Sequence, residues 1–179
     1  MLETLRQSAG IGLCRWQFRS QKGEITRFSG AVSHAQHTLV IMPLPEFNLH
    51  QVSPVIEVLH TMFHERHVTV VTPLHSVELM RMLPQGRFIR IEPAEISLFY
   101  LPASSMQNRL PRKDYDLAID LNLDFLLPSG YICRKSGARI RMGFEVKHAE
   151  LFSNFVVQTT PAHDRKRAYE RLATCLSMF

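Results

Sequence analysis

Cysteine is scarce here: Cys14, Cys133 and Cys175 are the only three, far apart and in no metal-ligand or redox spacing. That excludes a disulfide framework and a cysteine zinc site, and it fits a reducing cytoplasm. No apolar run approaches the ~20 residues that span a bilayer. The apolar stretch 9–14 is bounded by Arg6 and Arg15 and is too brief for a secretory signal. Phosphate-binding signatures are missing as well. No GxxxxGK[ST] occurs, and the Gly10-Ile-Gly12 pair has Arg15 where a dinucleotide fingerprint needs glycine, so no cofactor is indicated. Ser104 and Ser105 lack the GxSxG elbow of a serine hydrolase. Zinc-finger, RRM and helix-turn-helix signatures are absent, and the basic residues are not interleaved with aromatics, which argues against a nucleic-acid partner.

What is present is ordinary globular material. The 179 residues are 45% hydrophobic and 21% charged, enough for one packed core. The formal charge of +5 and the pI near 9.4 suit an anionic partner without choosing one. Residues 1–37 mix Gly10, Gly12, Gly23 and Gly30 with five basic residues and show no sustained period. They read as an amino-terminal appendage. A short helix carrying Leu2, Leu5, Ile11 and Leu13 is expected first, then an irregular arm or hairpin.

From residue 38 the pattern turns regular, and 38–179 reads as one α/β domain. Short Val- and Ile-rich runs at 38–42, 67–72, 88–92, 116–121 and 139–144 have the brevity of buried parallel strands. Helix-period segments at 52–65, 75–82, 103–110 and 124–136 separate them, and a terminal helix is expected within 161–179. Such alternation predicts a single Rossmann-like, doubly wound, mainly parallel sheet flanked by helices. Ligands of such sheets bind at the carboxyl ends of the strands, which directs attention to Asn122 and to the loop 43–50.

Several side-chain groupings favour structural roles. His60 and His64 fall beside the polar flank of the stripe Val52, Val55, Ile56, Leu59, Met62 and Phe63, and His67 opens a strand, so no metal site is expected. Asp120 sits within a strand and Asp124 near a helix start, which outweighs a pair of hydrolytic carboxylates. Basic residues cluster at Arg134, Lys135, Arg139, Arg141 and Lys147, and again at Arg165 to Arg167 with Arg171. Such clusters are commonly solvated faces, with an anion site as the functional alternative.

The stretch YDLAIDLN at 115–122, leading through a helix to SGARIRMGF at 136–144, resembles the amino-terminal half of the lipopolysaccharide heptosyltransferases, two-domain GT-B enzymes. HDRKRAYERL at 163–172 is similar to a helix that follows in that family. The resemblance implies a sugar-handling half domain peripheral to the inner membrane, with an acidic or phosphorylated sugar as ligand. It also implies a catalytic aspartate in the loop after the first strand. Aligning Pro54 with the family's proline places Phe47 at the family's glycine and Asn48 at that aspartate. A carboxamide has no useful basicity, leaving Glu46 and His50 as the candidate bases and Asn48, Asn122, Arg139 and Arg141 as candidate ligand contacts. Two readings follow. One is a non-catalytic sugar- or anion-binding or protein-interaction module, able to self-associate. The other is a transferase subunit completed by a partner chain that carries the sugar-nucleotide-binding domain.

Overall fold

The computed structural model describes residues 2–20, 30, 32–63, 67–110, 115–158 and 164–178. Six strands form one sheet: β1 His37–Ile41, β2 His67–Thr72, β3 Arg87–Arg90, β4 Leu117–Asp120, β5 Ile140–Phe144 and β6 Phe155–Val157. Their order is β3-β2-β1-β4-β5-β6 and every pairing is parallel. The helices are α1 Leu2–Phe18, α2 Leu49–Phe63, α3 Val77–Met82, α4 Ser104–Arg109, α5 Leu127–Lys135, α6 Ala149–Phe152 and α7 Arg165–Ser177. This is the Rossmann-like α/β class expected from the alternation of strand and helix patterns.

The central strands β1, β2 and β4 read as largely apolar runs because both faces of the sheet are covered there. Along β1 the alternation is hidden inside: Val40 and its successor Met42 belong to the cluster built with α2 and α7, Leu39 and Ile41 to the one built with α4 and α5. The helix pair α2 and α7 covers the first face, where Tyr169 of α7 donates a buried hydrogen bond to the Leu121 carbonyl at 2.9 Å. Within α2, Pro54 removes the amide that would bond to the His50 carbonyl. The Ser53 hydroxyl donates to that carbonyl instead, at 3.3 Å.

Some expectations are corrected. α5 starts at Leu127, not at residue 124, because Pro128 is suited to the first helical turn and the chain before it is extended. Asp124 therefore precedes the helix, and its carboxylate lies 3.6 Å from the Arg165 guanidinium. The edge strand β6 and the single turn α6 were not expected; three and four residues are too few to show a period. Most of the segment expected as an arm, and His64, lie outside the described residues.

The amino-terminal helix also differs from expectation. α1 runs 17 residues, longer than the short helix expected, and of the four apolar residues expected on it only Ile11 is buried; Leu2, Leu5 and Leu13 are exposed. It docks on α5 through Ile11, Cys14 and Phe18, which meet Leu127, Tyr131 and Phe152. Gln17 Nε2 adds a hydrogen bond to the Tyr131 hydroxyl at 3.2 Å. Gly10 makes the approach possible, since a Cβ there would overlap the Phe99 carbonyl and reach 2.7 Å from Leu127 Cδ2. Gly12, two residues on, faces open space.

These contacts make Cys14 a reporter of docking. Burial pushes its thiol up to about 11, so in the docked state almost no thiolate is available at neutral pH. Gly10→Ala is expected to cost about 1–3 kcal/mol through overpacking and to speed labelling of Cys14 by a thiol reagent. Gly12→Ala should leave labelling unchanged and be neutral, or stabilising by up to about 1 kcal/mol from helix propensity.

Candidate functional site

The strand order reverses direction between β1 and β4, and in open α/β sheets ligands bind beside that switch point, outside the carboxyl ends of the strands. Here one side chain ties the two loops together. Asn122, just past β4 and almost fully buried, accepts the Leu44 amide at 2.8 Å through Oδ1. Its Nδ2 donates to Asp120 Oδ1 at 2.6 Å and lies 3.5 Å from the Met42 carbonyl.

Asp120 completes the knot. Besides Asn122 Nδ2 it accepts the Asn122 amide at 3.1 Å and the Ser129 hydroxyl of α5 at 2.6 Å. Burial pushes its carboxyl above the usual carboxylate range, against the hydrogen bonds from Ser129 and Asn122, which lower it. Both its oxygens are engaged within the protein, which suits a positioning group better than a free base. Gly143 of β5 lets Asp120 and Ser153 pack closely, since a Cβ there would sit 3.2 Å from Ser153 Oγ.

Beyond this knot the carboxyl edge opens into a groove of about 840 Å³, within the usual size range of small-molecule sites. It spans the switch point, with Leu44 on the β1 side and Leu126 on the β4 side. The loops after β2 and β3 contribute apolar walls such as Leu74 and Ile96, and the first turns of α1 close the remaining side with Glu3 and Arg6. Arg90 and Glu92 bring a second pair of charges, 3.8 Å apart. Tyr100 also lines the groove and holds a left-handed backbone, φ 60°, which costs a non-glycine residue on the order of 1 kcal/mol. Ser97 stabilises that turn, its carbonyl accepting from the Tyr100 amide at 2.9 Å and its hydroxyl from the Leu101 amide at 3.2 Å.

The sequence-derived candidates separate in space. Glu46 and Asn48 lie on the loop after β1 and His50 in the first turn of α2; all three are exposed, and none lines the groove. Asn48 precedes α2 as its cap, its Oδ1 accepting the His50 amide at 3.0 Å. Asn122 lies at the carboxyl edge as described. Arg139 and Arg141 stand at the opposite end of the sheet, where β5 begins. Arg139 is exposed, whereas Arg141 is buried and donates to the carbonyls of Phe152 at 2.9 Å and Ala138 at 2.6 Å. Burial, with Arg134 nearby, pulls the Arg141 pKa down. Among the described residues no group of three or more His, Cys, Asp or Glu side chains is placed to hold a metal ion.

Sequence reasoning missed Arg6, Arg90 and Tyr100 as neighbours of one groove, because only the docking of α1 brings residues 3–7 to the carboxyl edge. A signal available in the sequence was Gly10 inside a helical pattern, where glycine costs stability relative to alanine and so points to a packing reason.

No protein-family model matches the sequence, and no curated protein matches it. Among solved structures the chain is similar to the crystal structure of the glycosyl transferase family 9 protein from Veillonella parvula DSM 2008, with a TM-score of 0.54 at 15% identity. The match covers 80% of this chain and 42% of that one. At this identity the likeness concerns the fold, and the chain spans less than half the length of that protein.

Asn122→Ala removes the acceptor for the Leu44 amide and one donor to Asp120. The expected cost is about 1–3 kcal/mol, the price of leaving buried polar groups unpaired, read as a lower urea midpoint with an unchanged slope.

Proposed function

We propose that the chain is a glycosyltransferase-like half domain that binds an acidic or phosphorylated sugar at the carboxyl-edge groove and performs no glycosyl transfer by itself. The observation that carries this reading is the groove: it lies where sheets of this class receive ligands, with Arg6 and Arg90, each accompanied in the lining by a carboxylate, Glu3 and Glu92, in walls that are otherwise largely apolar. Guanidinium groups suit phosphate or carboxylate through paired hydrogen bonds, while apolar walls and Tyr100 suit the C–H face of a sugar ring. Asn122 acts in this reading by holding Leu44, and therefore the groove wall, in place.

The case against transfer chemistry rests on the loop after β1. A transferase needs a base within reach of the acceptor hydroxyl. Asn48 cannot serve, its side chain being the cap of α2, and Glu46 and His50 are outside the groove lining. A second reading keeps the chemistry: the chain is one half of a transferase whose sugar-nucleotide domain resides elsewhere, with Glu46 or His50 as the base. The 42% coverage of the structural neighbour favours it.

A thermal-shift screen separates the two. A ligand present at a hundred times its Kd adds about 2.7 kcal/mol, which at this chain length raises Tm by roughly 5–10 °C. The binding-module reading expects that shift with a sugar phosphate or acidic sugar, its loss in Arg90→Ala, and its retention in Arg171→Ala. A shift with nucleotide sugars alone would overturn it. Full loss of transfer by a reconstituted complex on replacing Glu46 and His50 with alanine would then establish the second reading, and unchanged activity would remove those two residues as its base.

A further inference from the structure

We propose that the outward face of α1 is a membrane-docking surface that lays the helix in the headgroup region of an anionic bilayer. This inference is independent of what the groove binds. An α-helix on the surface of a domain is expected to show one apolar stripe, turned to the core. α1 shows two. The inner one is Ile11, Cys14 and Phe18, already packed on α5. At 100° per residue, Leu2, Leu5, Ala9, Gly12, Leu13 and Trp16 fall together on the opposite side, with no charged residue among them. The large members stand in solvent: Leu2 and Leu5 are 63% exposed, Leu13 45% and Trp16 65%.

The chemistry around the stripe specifies what covers it. Arg6 and Arg15 flank it on either side, and Glu3 is the one acidic residue of the helix. The Arg19 guanidinium lies over the Trp16 ring, 5.8 Å from its centroid. Residues 1–37 hold five Lys and Arg against two Glu, a large share of the net charge of +5. Leucine and tryptophan on one face with arginine at its borders is the composition of a helix lying in the plane of a membrane surface, where apolar side chains enter the acyl boundary and cations meet lipid phosphates.

A second copy of the chain fits the surface less well. A helix of 17 residues is about 25 Å long and about 10 Å across. One face therefore offers roughly 250 Å², against about 800 Å² per partner in stable interfaces. Two basic borders facing each other would also repel. No helix among the described residues is long and apolar enough to cross a membrane, so the contact is one of lying on the surface.

Trp16 is the single tryptophan of the chain, so intrinsic fluorescence reads this face alone. The full chain is titrated with vesicles of phosphatidylglycerol mixed with phosphatidylcholine, and with phosphatidylcholine alone. The expected result is a blue shift of Trp16 emission and co-sedimentation with the anionic vesicles, weakened by added salt. Leu5→Asp with Leu13→Asp should lower the partition coefficient at least about tenfold while the circular dichroism spectrum stays unchanged. Should that variant misfold, quenching of wild-type Trp16 by brominated lipid gives the same answer. Emission unmoved by either vesicle overturns the proposal. So does a blue shift that grows with protein concentration in the absence of lipid together with a doubled mass by light scattering, which would assign the face to a second copy.

Discussion

The hydrogen bond from the Leu44 amide to the Asn122 side chain is the constraint on which the architecture of the carboxyl edge depends. It joins the loops after the two central strands at the point where the strand order reverses. Water cannot substitute easily, because Asn122 is 5% exposed and its other atoms are already engaged with Asp120 and Met42. Through Asp120 the same knot reaches Ser129 and fixes the start of α5. α5 is in turn the platform for α1, so a network of three polar side chains sets the relative positions of both groove walls.

That chain of dependence joins features which are distant in sequence. α1 approaches α5 because residue 10 has no side chain, and the close contact at the Phe99 carbonyl braces the loop in which Tyr100 adopts its left-handed backbone. The inner face of α1 thereby completes a groove while its outer face stays apolar and exposed. On the two proposals above, these faces would let one helix serve both a ligand site and a surface contact, with arginines at the boundary between them.

Much of this architecture was legible in the residues. The β1 to β5 runs announced themselves by brief, Val- and Ile-rich, largely apolar stretches, since a strand covered on both faces need not alternate. Asn122 was legible as a carboxyl-edge residue from the strand that precedes it. β6 was not, being a three-residue edge strand defined by its partner β5 and not by its own pattern. The start of α5 was misjudged because Asp124 resembles a helix-opening residue, whereas Pro128 decides the boundary. Arg141 read as a basic-cluster residue and candidate ligand contact, and only the fold reveals its guanidinium donating to two backbone carbonyls. The groove itself was least legible, because its walls come from residues 3–7, 44–45, 73–74, 90–100 and 126–128, brought together by a helix docking that hydrophobic periodicity alone does not encode.

On the reading proposed above, the carboxyl-edge groove is where this chain meets an anionic sugar. Backbone amide chemical shifts, followed by NMR during titration with a sugar phosphate, test it residue by residue. Saturable perturbations are expected, concentrated at Arg6, Leu44, Arg90 and Tyr100, with Arg139 and the α7 arginines unmoved. Perturbations concentrated instead on Arg139, Lys135 or α7, with Leu44 and Tyr100 silent, would contradict it and move the anion site to another face of the sheet.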